Sequence, residues 1–186
     1  ADDMKFSDEI VKDVLKSLLI PLWNAYSFFV TYANIDGYVP SSTPTSSLSN
    51  PLDKWIISDL EKLVKKATDA FDSYMIQDAT EALLSFIDDL NNWYIRRSRR
   101  RFWRSENDGD KKEAYDTLYR VLMTVVKVAC PMVPFVTEAI YQNLKTASDP
   151  ESVHLCLYPE YNEEERDFKL EEEMNIIMKT IEMGRA

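Results

Sequence analysis

Apolar residues recur every three or four positions through five long segments of this 186-residue chain, and only three glycines (Gly37, Gly109, Gly184) are present to break them. That period marks amphipathic helices. So little glycine works against folds built on tight turns or phosphate-cradling loops, which disfavours a β-sandwich, a Rossmann unit and a P-loop together. The chain is therefore expected to be all-α, an antiparallel bundle of about five helices forming one domain over residues 1–186. Its 45% apolar content suits a packed core.

Leu15, Leu19, Leu22, Tyr26, Phe29 and Ala33 define the inward stripe of a first helix over roughly residues 7–34. A Ser-, Thr- and Pro-rich loop follows. The next start is marked by Asn50 as N-cap, Pro51 in the first turn and Asp53 beyond it. Ile56, Leu60, Leu63, Ala67 and Phe71 form the second stripe. A break near Tyr74–Gln77 separates it from the third, which carries Leu83, Phe86, Leu90 and Tyr94. Asp108 and Gly109 read as a turn before a fourth helix with Tyr115, Leu118, Leu122, Val125 and Ala129 inward. Pro131 and Pro134 must interrupt that helix, because proline lacks the donor and clashes with the preceding turn; it restarts at Pro134. The alternation in SVHLCLYP, residues 152–159, predicts a short extended segment. A last helix places Leu170, Met174, Ile177 and Ile181 inward. The chain begins without Met and its last amphipathic segment runs on to Ala186, which suggests a fragment of a longer protein.

Charge is distributed unevenly. The chain carries 22 basic and 32 acidic residues, a formal charge of −10, yet six of its nine arginines (Arg96, Arg97, Arg99, Arg100, Arg101, Arg104) fall in the run NNWYIRRSRRRFW and the residue after it. Short connections between antiparallel helices bring the end of the first and third helices and the start of the second and fourth to one pole. That pole would gather Asn34, Tyr38, Lys54, the arginine run, Lys111 and Lys112. Three readings of the run compete. Basic residues offset the dipole at a helix C-terminus, which accounts for one or two arginines. A salt-bridge net to neighbouring helices is the second. By helical angle Arg97 and Arg101 fall toward the core and should be partly buried and paired, whereas Arg96, Arg99, Arg100 and Trp103 face away. The third reading is RNA contact, with guanidinium forks for phosphates and an exposed ring for a base. Composition leaves the last two open.

Catalytic readings are weaker. His154 is the single histidine and reads as a packing residue, so a multi-histidine metal site has no basis. The acidic stretch EEERDFKLEEE reads as a solvated face. No catalytic residue, metal ligand or cofactor site is expected. Cys130 and Cys156 lack metal-binding spacing and read as reduced thiols of an intracellular, cytoplasmic protein. No signal peptide or membrane-spanning run is expected either, because the apolar stretches are short and interrupted.

At NNWYIRRSRRRFW the chain resembles the anticodon-binding helical domain of the isoleucyl-tRNA synthetases, in their eukaryotic and archaeal-type form. Further segments in matching order are PLWNAYSFFVTYA (21–33), NPLDKWI (50–56), RFWRSENDGDKKEAYDTLY (101–119), CPMVPFVTEAIYQNL (130–144) and SVHLCLYPE (152–160). The valyl, leucyl and methionyl siblings share this bundle, and a helical protein-docking module is the alternative of another class. The resemblance implies a class I synthetase whose catalytic domain, with ATP and magnesium, lies elsewhere on the polypeptide; the HIGH and KMSKS motifs are absent here. It implies binding of the anticodon stem-loop of isoleucine tRNA. In methionyl relatives an Asn-x-Tyr helix ends in a Trp that stacks on an anticodon base. Asn92-Trp93-Tyr94 and Trp103 resemble that arrangement, with spacing two residues longer. On this reading Arg96, Arg99, Arg100 and Arg104 contact RNA and Trp103 stacks. Lys54, Lys111 and Lys112 add charge, and Asn34 and Tyr38 face the loop.

Overall fold

A computed structural model describes residues 7–40, 48–103 and 109–184. Within them the chain forms six helices and no strand. Helix α1 is Asp8–Asp36, with a π-helical turn at Leu15–Leu19; α2 is Pro51–Asp72. Helix α3 joins Ile76–Asp89, a second π turn at Leu90–Ile95, and Arg96–Trp103. Helices α4, α5 and α6 are Gly109–Ala129, Pro134–Leu144 and Phe168–Met183.

The boundaries follow local chemistry. The Asn50 side chain accepts the Leu52 amide at 2.9 Å, and Pro51 occupies the first turn, where its missing donor costs nothing. Gly37 ends α1 in the left-handed region at φ 63°, where a residue without Cβ is unstrained. Tyr74 adopts φ 58° to close the tight break between α2 and α3, which explains how that break forms without glycine or proline. Pro21 lies inside α1 and offers no amide to the turn before it. The helix widens there, and the Ile20 amide reaches back to the Leu15 carbonyl.

The four expected stripes meet in one core. Leu22, Phe29, Ile56, Leu60, Leu83, Phe86, Leu90, Tyr94, Tyr115, Leu118 and Leu122 are all buried. Leu15 differs from expectation at 43% exposed, because the first turns of α1, Asp8–Val14, bury nothing. Ile177 is also exposed. Helix α6 seats Met178 instead and is tied to α2 by polar contacts: Ser58 donates to Glu171, which Arg166 clamps at 2.7 and 2.8 Å. The expected extended segment is instead a 3-10 turn, Val153–Leu155, capped by the Ser152 hydroxyl; alternation without a neighbouring strand to pair with does not make a strand. His154, the middle residue of this turn, is exposed and not packed as expected, with Nδ1 3.1 Å from Cys130 Sγ. Helix α1 has the length and mean hydropathy (1.2) of a membrane span, which the sequence reading did not anticipate. Its inward residues, Leu22 to Ala33, pack in the bundle.

An acidic cluster sits where α2, α3 and α6 approach. Burial lifts the Asp89 carboxyl to about 7, the negative Asp59, Asp88 and Glu182 add to the rise, and Lys62 opposes it. A carboxyl whose folded pKa exceeds its unfolded value contributes most stability at low pH, lost as pH rises through about 7. Asp89→Asn is therefore expected to raise the melting temperature more at pH 8 than at pH 5. An increment equal at the two pH values would refute the assignment.

Candidate nucleic-acid interface

The basic pole assembles as topology requires, and ionic and polar contacts at its base hold it together. Asp53, fully buried in the first turn of α2, accepts the Tyr94 hydroxyl at 2.7 Å and a two-pronged Arg101 fork at 2.7 Å per bond. Arg101 also donates to the Asp110 carbonyl oxygen at 2.9 Å, and its Nε lies 2.8 Å from Asp110 Oδ1. Burial pushes the Asp53 carboxyl up, while the hydrogen bonds and charge of Arg101 pull it back; Asp53 in turn holds Arg101 firmly protonated against its own burial. Glu113 of α4 accepts the Ser49 and Asn50 amides at 2.8 and 2.9 Å, binding the start of α4 to the start of α2. Despite partial burial these amides, with the Ser49 hydroxyl, hold the Glu113 carboxyl below its ordinary range.

Above this base, Arg96, Arg97, Arg99 and Arg100 are exposed, and Trp103 is 56% exposed at the end of α3. Arg97 lies over the Trp93 ring at 5.5 Å and Arg99 over Phe28 at 6.0 Å, contacts that restrain the guanidinium planes without neutralising them. Arg101 is buried and paired as its helical angle suggested. Arg97 is not. The π turn Leu90–Ile95 adds one residue to the helix, and each residue turns a helix by about 100°. After it Ser98 and Phe102 point inward, Arg101 lies at the buried edge beside them within reach of Asp53, and Arg97, about 40° further round the helix, stands in solvent. Phe102 then packs edge-on against Tyr115 at 4.9 Å and Phe28 at 5.1 Å.

The other anticipated residues divide. Lys54 and Asn34 are exposed. Lys112 is exposed and ion-paired with Asp116 at 2.6 Å. Tyr38 is half-buried, stacked on Tyr115 at 4.9 Å and donating to Asp116 at 2.7 Å, so its hydroxyl is engaged internally and its pKa is pushed well up by burial and that carboxylate. Lys111, expected at the surface, is 2% exposed with its ammonium 2.6 Å from Asp36. Its charge serves the base of the pole and leaves the outer face. Arg104 lies outside the described residues.

Sequence reading missed a groove of about 850 Å³ that opens beside the arginines along the seam of α1 and α3. Its polar lining combines Lys16, Arg96 and Arg99 with Asn24, Asn91 and Asn92, and with Ser17 and the Asp88 carboxylate, which accepts the Asn92 amide at 2.6 Å. Its lining draws on both π turns, with Lys16 and Ser17 from one and Asn91 and Asn92 from the other, and Asn91 bridges the seam by donating to the Pro21 carbonyl at 3.2 Å and the Ile87 carbonyl at 2.9 Å. Pro21 inside a helix and the paired asparagines were the available signals. The pole thus offers cations, amides and an exposed indole on one face. This combination suits a single-stranded polyanion with exposed bases.

Residues 53–186 match a family described as the anticodon-binding domain of tRNA ligase. The chain belongs to this family. It is 54% identical over its whole length to an isoleucine–tRNA ligase of Treponema denticola, 50% to one of Treponema pallidum, and 46% to one of Protochlamydia amoebophila. The chain spans 18% of the length of each of these relatives. The family match covers α2 to α6, with the arginine helix inside it and α1 before it.

The relocation of Lys111 is testable by urea unfolding. Lys111→Met leaves Asp36, which is 20% exposed and still bonded by the Tyr115 hydroxyl, without its ammonium partner and is expected to cost about 1–2 kcal/mol, against at most about 0.5 kcal/mol for Lys112→Met at the surface. Equal effects would show that Lys111 is not held as described.

Proposed function

We propose that this chain binds the anticodon stem-loop of an isoleucine tRNA through the exposed end of α3. Bound there, the tRNA is held so that its distant acceptor end reaches a catalytic domain on the same, longer polypeptide. That polypeptide is an isoleucine–tRNA ligase of the cytoplasm, and ATP and magnesium belong to its catalytic domain. The observation that carries the reading is the cluster of Arg96, Arg97, Arg99 and Arg100 around an exposed Trp103 on a chain of net charge −10. Repulsion elsewhere on the surface confines a polyanion to this pole. The forks of Arg96, Arg99 and Arg100 engage phosphates or base edges, and Arg104 continues the basic run in sequence. Trp103 stacks on a base, an interaction worth about 1–3 kcal/mol. Lys54, Lys112 and Asn34 make peripheral contacts, and the Arg96 and Arg99 edge of the α1–α3 groove extends the phosphate track. The eukaryotic/archaeal-type form rests on motif resemblance alone, and the three relatives above are bacterial.

The test compares binding of an isoleucine-tRNA anticodon stem-loop with an anticodon-scrambled one, using the parent chain and Arg99→Glu/Arg100→Glu/Trp103→Ala. The parent should prefer the cognate loop and the variant should lose that preference. With about four phosphates engaged, affinity should fall roughly 50-fold between 50 and 200 mM salt. Preference unaffected by the variant would place the reader elsewhere. Binding that ignores salt and added tRNA but responds to apolar substitutions would indicate a protein-docking module.

A further inference from the structure

The end of α3 offers five arginines in six positions, interrupted by Ser98. A one-residue rotation would pull Phe102 away from Tyr115 and Phe28, so packing resists gross slippage of this run. Apolar contacts have no direction, however, and leave smaller rotations and fraying of the arginine face to be limited by something directional. Two features of the interior bear on this. The π turn Leu90–Ile95 rotates the segment so that Ser98 and Phe102, at 0% and 1% exposure, face the core. The Asp53 carboxylate then grips one guanidinium in particular: Oδ1 accepts Arg101 Nη1 and the Tyr94 hydroxyl, and Oδ2 accepts Arg101 Nη2. Asp110 closes the remaining edge from α4. A planar fork with partners on several edges has a single orientation.

We propose that Asp53, together with Tyr94, Arg101 and Asp110, is a positioning device for RNA binding, locking residues 96–103 in the one register that presents Arg96, Arg99, Arg100 and Trp103 on a common face. None of the four need touch RNA. The consequence for RNA rests on the function proposed above; the register lock itself does not. A buried ion pair contributes little net stability compared with well-packed apolar groups of similar size, and its effect lies in conformational specificity. The lock spans α2, α3 and α4, so the arginine face is fixed relative to the whole pole and not to its own helix alone.

The experiment uses the whole chain with Asp53→Leu/Arg101→Met, which replaces the pair by apolar side chains, and Arg101→Lys, which keeps the charge but not the fork. Three quantities are read: the urea midpoint, amide hydrogen exchange across residues 96–103, and affinity for the isoleucine-tRNA anticodon stem-loop. The double variant should keep or raise the midpoint, exchange about tenfold faster in that segment, and bind the stem-loop about tenfold more weakly. Arg101→Lys should fail to restore slow exchange. A folded double variant with parental exchange in the segment, or with parental RNA affinity, overturns the proposal, as does full rescue by Lys. Should the double variant not fold, Tyr94→Phe removes one donor only. It should accelerate exchange in the same segment and weaken binding by about two- to threefold, and parental values in both would equally overturn the proposal. If the parent binds no stem-loop, the function proposed above fails for this chain, while the exchange data still decide whether the lock exists.

Discussion

The structure depends on one buried ion pair. Asp53 enters α2 two residues after its proline, in a position where a carboxylate ordinarily stabilises the amide end of a helix from the surface. Here it is fully buried and meets Arg101 from the far end of α3, with Tyr94 and Asp110 completing the set. Removing one partner would leave a bare charge in the interior, a penalty several times larger than that of any surface pair. The contact consequently fixes where α3 ends relative to α2 and α4, and every exposed cation of the pole is placed from that reference.

Electrostatics sort the remaining charges by depth. Lys111 and Arg101 are drawn inward to neutralise Asp36, Asp53 and Asp110, and Glu113 is spent on the amides that open α2. Four arginines of α3 with no carboxylate partner among the described residues remain outside. On a body of charge −10 this produces a local field opposite in sign to its surroundings. A polyanion approaching such a molecule is repelled over most of the surface and admitted at one pole, so orientation is selected before close contact is made.

Most of the architecture could be read in advance because helical periodicity is a local property. The stripes of α2 and α4 and the upper part of α3 are buried where their spacing put them, and the Asn50–Pro51 start behaves as its chemistry requires. Failures occurred where a helix leaves the 3.6-residue period. Counting at constant pitch places Arg97 toward the core, and the π turn before it shifts that count by one residue. The α1–α3 groove escaped notice because it is a seam between two helices, which the period of neither helix reveals. The segment at 152–159 failed differently: its alternation had no neighbouring strand to satisfy, and the Ser152 cap drew it into a turn. Lys111 failed because charge alone gives no depth, and its carboxylate partner Asp36 lies far away in sequence on α1.

By itself the sequence determined that the chain is helical, where most helices begin and end, and that its arginines gather at one pole, because period, capping and connection length act over a few residues. Tertiary structure decided which arginine goes in and which four stay out. That choice depends on an inserted residue in α3 and on a carboxylate some fifty positions earlier, and neither pitch nor partner can be counted from the arginine run alone.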